Sequence, residues 1–494
     1  MGLGILFAFL AFPAAEAANP VTVKANWNAV VRVSETVPTT QHLANALTVR
    51  SNPLNKKLLE DLRDLHTNAT RLQLWFSVPN QVVAELKEPT ATQTFWDFQY
   101  MDPVVIDFFA NTSGRHHINI GTVPRWMFNA PDVKIPTDPA ASFYGYTSGI
   151  TGNMLKDPTG KQFAEYQARL FQWYTQGGFT DEIGKEHRSG YHFKIDYWGI
   201  LNETRYENNL TVEQYTVLYD AVVEAIRKID PGVQFMGPEA IGGVPEWETY
   251  FLNSKNHSPA ALPVGWFSFH DYKGTDNNPE SWQKAYFDPT GFANYLRELI
   301  KIRDNLSPKT KIAIDELGTF NQPKPGDGCA DASEPYQAYN PLYWVATGGS
   351  WVVNFITAER LGIPLISMTQ MVGAPTQSES CSMINWDTAQ PNAHYWVLKL
   401  INDNFRPGNK LVVTESSSPD VVVQATITAA GRKVLLVNTS NRDQLVDLAG
   451  AFDSAALEVE FVDEASGEQP PRKENAGNKQ IKLSPFAVAV VSGK

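Results

Sequence analysis

Apolar positions recur along this chain in two alternating rhythms. Short runs rich in Val, Ile, Phe and Trp fall at Val30–Val33, Thr70–Phe76, His117–Thr122, Phe193–Leu201, Val233–Gly237, Gly265–His270, Lys311–Glu316 and Leu365–Gln370. Between them, apolar residues take helical spacing over Lys56–Thr67, Lys161–Thr175, Thr211–Ile229, Pro289–Asn305, Pro341–Arg360 and Pro391–Asn404. A strand followed by an amphipathic helix, repeated, marks a parallel sheet with helical crossovers. Eight strand candidates predict an α/β fold, a (β/α)₈ TIM barrel over residues 18–407. An open doubly wound sheet competes, but no glycine-rich phosphate loop follows an early strand.

After Arg406-Pro-Gly408 the helical rhythm stops. Lys410–Glu415, Asp420–Thr428, Lys433–Asn438, Ala456–Asp463, Gln480–Leu483 and Phe486–Val491 read as short strands between polar turns. This predicts a C-terminal β-sandwich over residues 408–494. The segment Val21–Asn26 is expected to add a strand to it, and Ser466–Lys479 to form a long hairpin loop. At the N-terminus, the apolar run Leu3–Phe12 and then Ala15-Glu-Ala17 predict a secretory leader over residues 1–17, cleaved after Ala17. No other stretch is apolar for the ~18 residues a membrane span needs.

Composition narrows the partners. A net charge of −12 with no basic run argues against nucleic acid, which needs a basic face. The 13 Trp and 18 Tyr suit clefts that stack the apolar faces of sugars. N-glycosylation triplets start at Asn68, Asn111, Asn202, Asn209, Asn256, Asn305 and Asn438, in keeping with secretion. The chain has two cysteines, Cys329 and Cys381, expected to form a disulfide in an oxidising compartment. Without a paired histidine motif they make no zinc site.

Barrel active sites sit at the C-terminal ends of the strands, so the polar residues there are the candidates. Asn202 and Glu203 follow the fourth strand candidate, His270 and Tyr272 close the sixth, and Glu316 closes the seventh. Arg71 lies on the second and Trp126 follows the third. Two carboxylates facing across a barrel mouth can flank one scissile glycosidic bond, one giving a proton and the other attacking the anomeric carbon. Strand alternation would let only one of Asp315 and Glu316 face the axis. Asn202 stands within reach of a hydroxyl beside the reacting carbon, so its triplet reads as part of a pocket. Trp126, Trp198 and Trp386 are candidate sugar-stacking platforms, and the insertion from Phe128 to about Gly160 is expected to shape the cleft. The chemistry calls for no metal and no organic cofactor.

The succession WGILNE, VQFMGPE, FSFHDY and IAIDELG resembles clan A glycoside hydrolases, most of all glycoside hydrolase family 39, which holds β-xylosidases and α-iduronidases and pairs a barrel with a β-sandwich. The resemblance implies Glu203 as acid/base and Glu316 as nucleophile of a retaining mechanism. It also implies His270 and Tyr272 beside the nucleophile, a second-strand arginine at Arg71, and a substrate contact in Gly237-Pro238-Glu239. Two stretches depart from the family: Gly-Ile-Leu stands before Asn202 where a bulky residue is expected, and Leu-Gln-Leu-Trp-Phe follows Arg71. The expected function is a secreted glycoside hydrolase acting on a poly- or oligosaccharide. A catalytically silent carbohydrate-binding protein and a transglycosylase are the alternatives.

Overall fold

The computed structural model describes residues 19–321, 339–373, 379–454 and 456–493. The first strand, β1 (Val21–Val33), lies outside the barrel. The barrel begins with β2 (Val37–Leu43), β3 (Ala69–Leu74) and β4 (Arg115–Ile120). A small hairpin of β5 (Gly178–Thr180) and β6 (Glu186–Arg188) stands apart from it. Then follow β7 (Tyr197–Ile200), β8 (Gln234–Ile241), β9 (Trp266–Thr275), β10 (Lys311–Asn321) and β11 (Leu365–Met368). These strands close a ring in the order β10-β11-β2-β3-β4-β7-β8-β9, every pair parallel. The fold is the predicted TIM barrel.

Ala69, Tyr197, Met236, Trp266, Ala313 and Leu365 form a separate apolar cluster near the strand starts and plug the N-terminal end of the barrel. Above that plug the axis turns polar. Gln41, Arg71, Gln73, His117, Asn119, Glu239, Ser268, His270 and Glu316 are all buried there.

The C-terminal strands are β12 (Lys410–Ser416), β13 (Val421–Thr428), β14 (Gly431–Asn438), β15 (Gln444–Gly450), β16 (Leu457–Val462), β17 (Arg472–Asn475), β18 (Gln480–Leu483) and β19 (Val488–Gly493). With β1 they form one nine-stranded sheet, ordered β17-β16-β19-β14-β13-β12-β1-β15-β18. Strands from both ends of that order, β16 and β18, feed one apolar cluster. With neighbouring strands about 4.8 Å apart, a flat sheet could not bring them together, so the sheet folds over into two layers.

Several expectations are corrected. The first barrel strand is Val37–Leu43, not Val30–Val33. The latter is the end of β1, where Val30, Val31 and Val33 are exposed. The true strand escapes an apolar search because its middle is Thr39, Thr40, Gln41 and His42, buried polar residues. Thr40 donates to Met368 O at 2.9 Å, and Gln41 accepts from Arg71. Helices Met101–Asn111, Pro245–Leu252 and Pro279–Tyr286 were not expected. Nor was β15, and the supposed loop Ser466–Lys479 contains β17. Cys381 is buried in a 3₁₀ turn, whereas Cys329 lies outside the described residues, so the disulfide is not placed.

Candidate active site

The strand ends deliver their polar residues to a single cleft at the C-terminal mouth. It encloses about 670 Å³ and is lined by Gln41, Leu43, Gln73, Trp75, Asn202, Glu203, Tyr206, Glu207, Ile241, Asp271, Tyr272, Glu316, Phe320 and Gln370. That volume lies within the usual range for small-molecule sites.

Two backbone irregularities aim the carboxylates. On β10 the pairing with β9 runs Ile314 to Phe269 and then Glu316 to His270, which leaves Asp315 as the extra residue of a bulge. Strict alternation therefore fails. Both Asp315 and Glu316 are buried and face the same two cations: Asp315 lies 3.9 Å from Arg71 Nε and 3.7 Å from His270 Nε2, while Glu316 accepts from Arg71 Nη1 at 2.6 Å. A second bulge falls on β8 between Pro238 and Ala240. There Glu239 takes φ 47° and turns into the axis, accepting from Arg71 Nη2 and Asn119 Nδ2. Glu203, at the end of β7, is also left-handed, with φ 38°. Such conformations cost a non-glycine residue about 1–3 kcal/mol and collect at functional sites.

Arg71 is the hub of this network. Its guanidinium donates to Gln41, Glu316, Asn202 Oδ1 (3.0 Å) and Glu239. Burial works against its charge, but Glu239, Glu316 and Asp315 more than offset that and hold it protonated. Burial likewise opposes a charged His270, yet Glu316 and Asp315 raise its pKa well above the ordinary histidine value. His270 is thus an imidazolium, and its Nδ1–H donates to Glu203 Oε1 at 2.7 Å. Glu316 receives Arg71 on one oxygen and Tyr272 Oη on the other, both at 2.6 Å. Burial pushes its carboxyl up, but His270 and Arg71 outweigh that and bring it below the ordinary glutamate value. The result is an ionised Glu316 facing a half-buried Glu203.

Oxygens of Glu203 and Glu316 and a nitrogen of His270 lie within 4.8 Å of one another. That spacing could suit a metal, but cationic and hydroxyl donors already serve these carboxyls: Arg71 and Tyr272 each donate to one Glu316 oxygen, and His270 pairs with Glu203.

Arg71, Asn202, Glu203, Glu239, His270, Tyr272 and Glu316 therefore meet in one network. The tryptophans proposed as platforms do not line the cleft. Trp198 is fully buried on the outer face of β7, donating to Gln167 at 2.6 Å and packing on Phe171. Trp126 donates to Glu85 O at 2.8 Å, and Trp386 to Ser382 Oγ at 2.7 Å. The aromatic wall comes instead from Trp75, Tyr206, Tyr272 and Phe320. The insertion after Phe128 meets this wall at Trp75, against which Tyr144 packs edge-on. Sequence reasoning also missed Gln41, Gln73, Glu207 and Gln370. Glu207, four residues after Glu203, was visible only as part of the motif itself.

A β-xylosidase of Geobacillus stearothermophilus is 26% identical over 269 residues, which cover 53% of this chain and 46% of that protein. The chain thus spans about half the length of the curated relative it matches. A GH51 α-L-arabinofuranosidase from Thermotoga petrophila superposes with a TM-score of 0.60 at 15% identity, covering 96% of this chain and 100% of that one. The catalytic domain of the GH30 xylanase C of Talaromyces cellulolyticus gives 0.58 at 13% identity, covering 95% and 99%. The fold is that of clan A glycosidases. Residues 419–491 match the family described as D-apionate lactonase, C-terminal immunoglobulin-like domain, in agreement with the sandwich topology.

Proposed function

We propose that the protein is a retaining glycoside hydrolase acting on a poly- or oligosaccharide by double displacement. The observation that carries this is the closeness of the two carboxyls, with oxygens of Glu203 and Glu316 within 4.8 Å. Retaining enzymes hold their carboxyls about 5–5.5 Å apart, whereas inverting ones leave room for water at about 6.5–9.5 Å. Glu316, ionised and oriented by Arg71 and Tyr272, attacks the anomeric carbon and forms the glycosyl-enzyme. Glu203 protonates the leaving oxygen and then takes a proton from the incoming water. Asn202 and Gln41 offer amides to the sugar hydroxyls, and Trp75, Tyr206 and Phe320 offer ring faces.

The cleft wall also bears on the sugar. Among the described residues it presents amides, rings and the ionised Glu316, while Arg71 beneath it is already committed to partners. Such a wall favours a neutral glycoside over a uronide.

The test is a panel of aryl xyloside, arabinoside, galactoside and glucuronide. Glu316→Ala is expected to abolish turnover on the substrate accepted. Glu203→Ala is expected to lose about 10²–10⁴-fold and to recover with azide, giving a glycosyl azide of retained configuration. Full activity in either variant would sink the assignment. Secretion belongs to the same proposal: the mature protein should begin at Ala18, and glycopeptide mapping should find Asn202 and Asn438 bare. Both are buried with their amides engaged, Asn202 donating to Glu207 and Asn438 to Arg442 O and Ser484 O.

A further inference from the structure

The cleft wall carries a carboxyl, Glu207, that double displacement leaves unused. Glu207 closes the single helical turn that starts after Glu203, and its N–H donates to Glu203 O at 3.0 Å. Its Oε1 accepts two hydrogen bonds, from Trp75 Nε1 at 2.7 Å and Asn202 Nδ2 at 2.8 Å. Its Oε2 is shielded from solvent and has no hydrogen-bond partner among the described residues. One oxygen with two donors and the other with none suits the acid better than the carboxylate: the carbonyl oxygen accepts both bonds, and what stays unpaired is a neutral O–H and not a charge. An ionised carboxylate with one oxygen shielded and unbonded would forfeit much of its solvation.

The two donors matter because both line the cleft, from different strands. Trp75 follows β3 and Asn202 follows β7. Asn202 is held at its other end by Arg71 Nη2 on Oδ1, so with Glu207 on Nδ2 its amide plane is fixed. We propose that Glu207 is a positioning residue acting as a neutral acid: it locks Trp75 and Asn202 into one wall of the sugar site without adding a negative charge beside that of Glu316. The charged groups near it agree. Burial first, and then the negative charge of Glu203, push the Glu207 carboxyl well above the ordinary glutamate range, with Glu316 adding to the effect and Asn202 and Trp75 opposing it. The nearby cations, Arg71 and His270, are committed to other carboxylates.

The kinetic consequence rests on the glycosidase reading, but the proton does not, so the test has two arms. In the first, infrared difference spectra of the free protein at pH 7 compare wild type with Glu207→Gln. The expected result is a protonated-carboxyl C=O band in wild type that the variant lacks, and its absence overturns the proposal. In the second, Glu207→Ala is expected to lose about 10–100-fold in kcat/KM on the accepted glycoside, as misplaced binding groups do. Glu207→Gln, a neutral isostere that can still accept from Trp75 and Asn202, should recover most of that loss. Equal impairment of the two variants would show that neutrality and shape are not what matters, and overturns the proposal. A wild type that hydrolyses no glycoside yet shows the band would fail the glycosidase reading and leave the proton assignment standing.

Discussion

Gly199 explains why the sequence around Asn202 departs from the bulky pattern of the family it resembles. A Cβ at this position on β7 would collide with Glu239 Oε1 and stand 2.6 Å from His117 Nε2 and 2.9 Å from Asn119 Nδ2. The glycine makes room for the carboxylate that Arg71 needs. Gly199→Ala is therefore expected to cost about 1–3 kcal/mol in urea unfolding. It should also lower kcat/KM by about tenfold or more through displacement of Glu239 and Arg71. A variant equal to wild type in both would mean that the floor of the site is not packed as described. Arg71 itself is the more severe case. Arg71→Met strands Glu239 and Glu316 in the barrel axis, and losing one partner of a buried ion pair typically costs about 3–5 kcal/mol. Because Glu316 is held below its ordinary pKa, its contribution is present above pH ~4.5 and fades as pH falls through the lowered folded value. The penalty in Arg71→Met should accordingly be larger at pH 7 than at pH 3. Asn202, Glu203, His270 and Glu316 could be singled out in the sequence because strand ends mark them. Asp315 and Glu239 could not be oriented, because a bulge reverses alternation and leaves no trace in composition.

The helix Leu342–Leu361 shows what the hydrophobic pattern can and cannot convey. It is apolar nearly all round, and its buried residues include Trp344, Ser350, Trp351, Asn354 and Glu359. An amphipathic barrel helix would leave one face wet. This one is covered on both sides, since Leu435, Val437, Phe486, Val488 and Val490 of the sandwich belong to the same core cluster. Its run of apolar residues made the helix easy to find, and nothing in it said what covered the second face. Conversely, β2 has almost no apolar signal: carbonyls of neighbouring strands pair with Thr39 and Thr40, and Arg71 with Gln41. Glu359 is nearly inaccessible and accepts from Ser34 Oγ at 2.7 Å. Burial pushes its carboxyl up to about 7, against the Ser34 hydrogen bond and Arg360. The folded state thus holds this proton more tightly than the unfolded chain does. Its contribution to stability falls as pH rises from ~4.5 and levels off above ~7, by as much as about 3 kcal/mol. Glu359→Gln should raise Tm at pH 8 and change it little at pH 4.5. A Tm difference that is the same at both pH values would exclude this origin.

Barrel and sandwich are joined twice, through the shared apolar face and through β1, which pairs with β12 from Val23–Ser416 to Val33–Lys410 before the chain enters the barrel. Differential scanning calorimetry is expected to show one transition, with calorimetric and van't Hoff enthalpies equal. A chain ending at Pro407 should be insoluble, because its barrel would expose the faces that Phe486 and Val488 cover and leave β1 without a partner. Two separate transitions, or a soluble and folded truncation, would contradict that coupling. The placement of β1 also sets a schedule for biosynthesis. The strand leaves the ribosome long before its neighbours β12 and β15, which follow the whole barrel in the sequence. At about 5–20 residues per second, it waits roughly 20 seconds to over a minute for them. Throughout that time it offers an unpaired strand edge with Val30, Val31 and Val33 alongside. The nascent chain is then most exposed to strand-edge aggregation at β1, and a holdase bound beside that strand would protect the yield most.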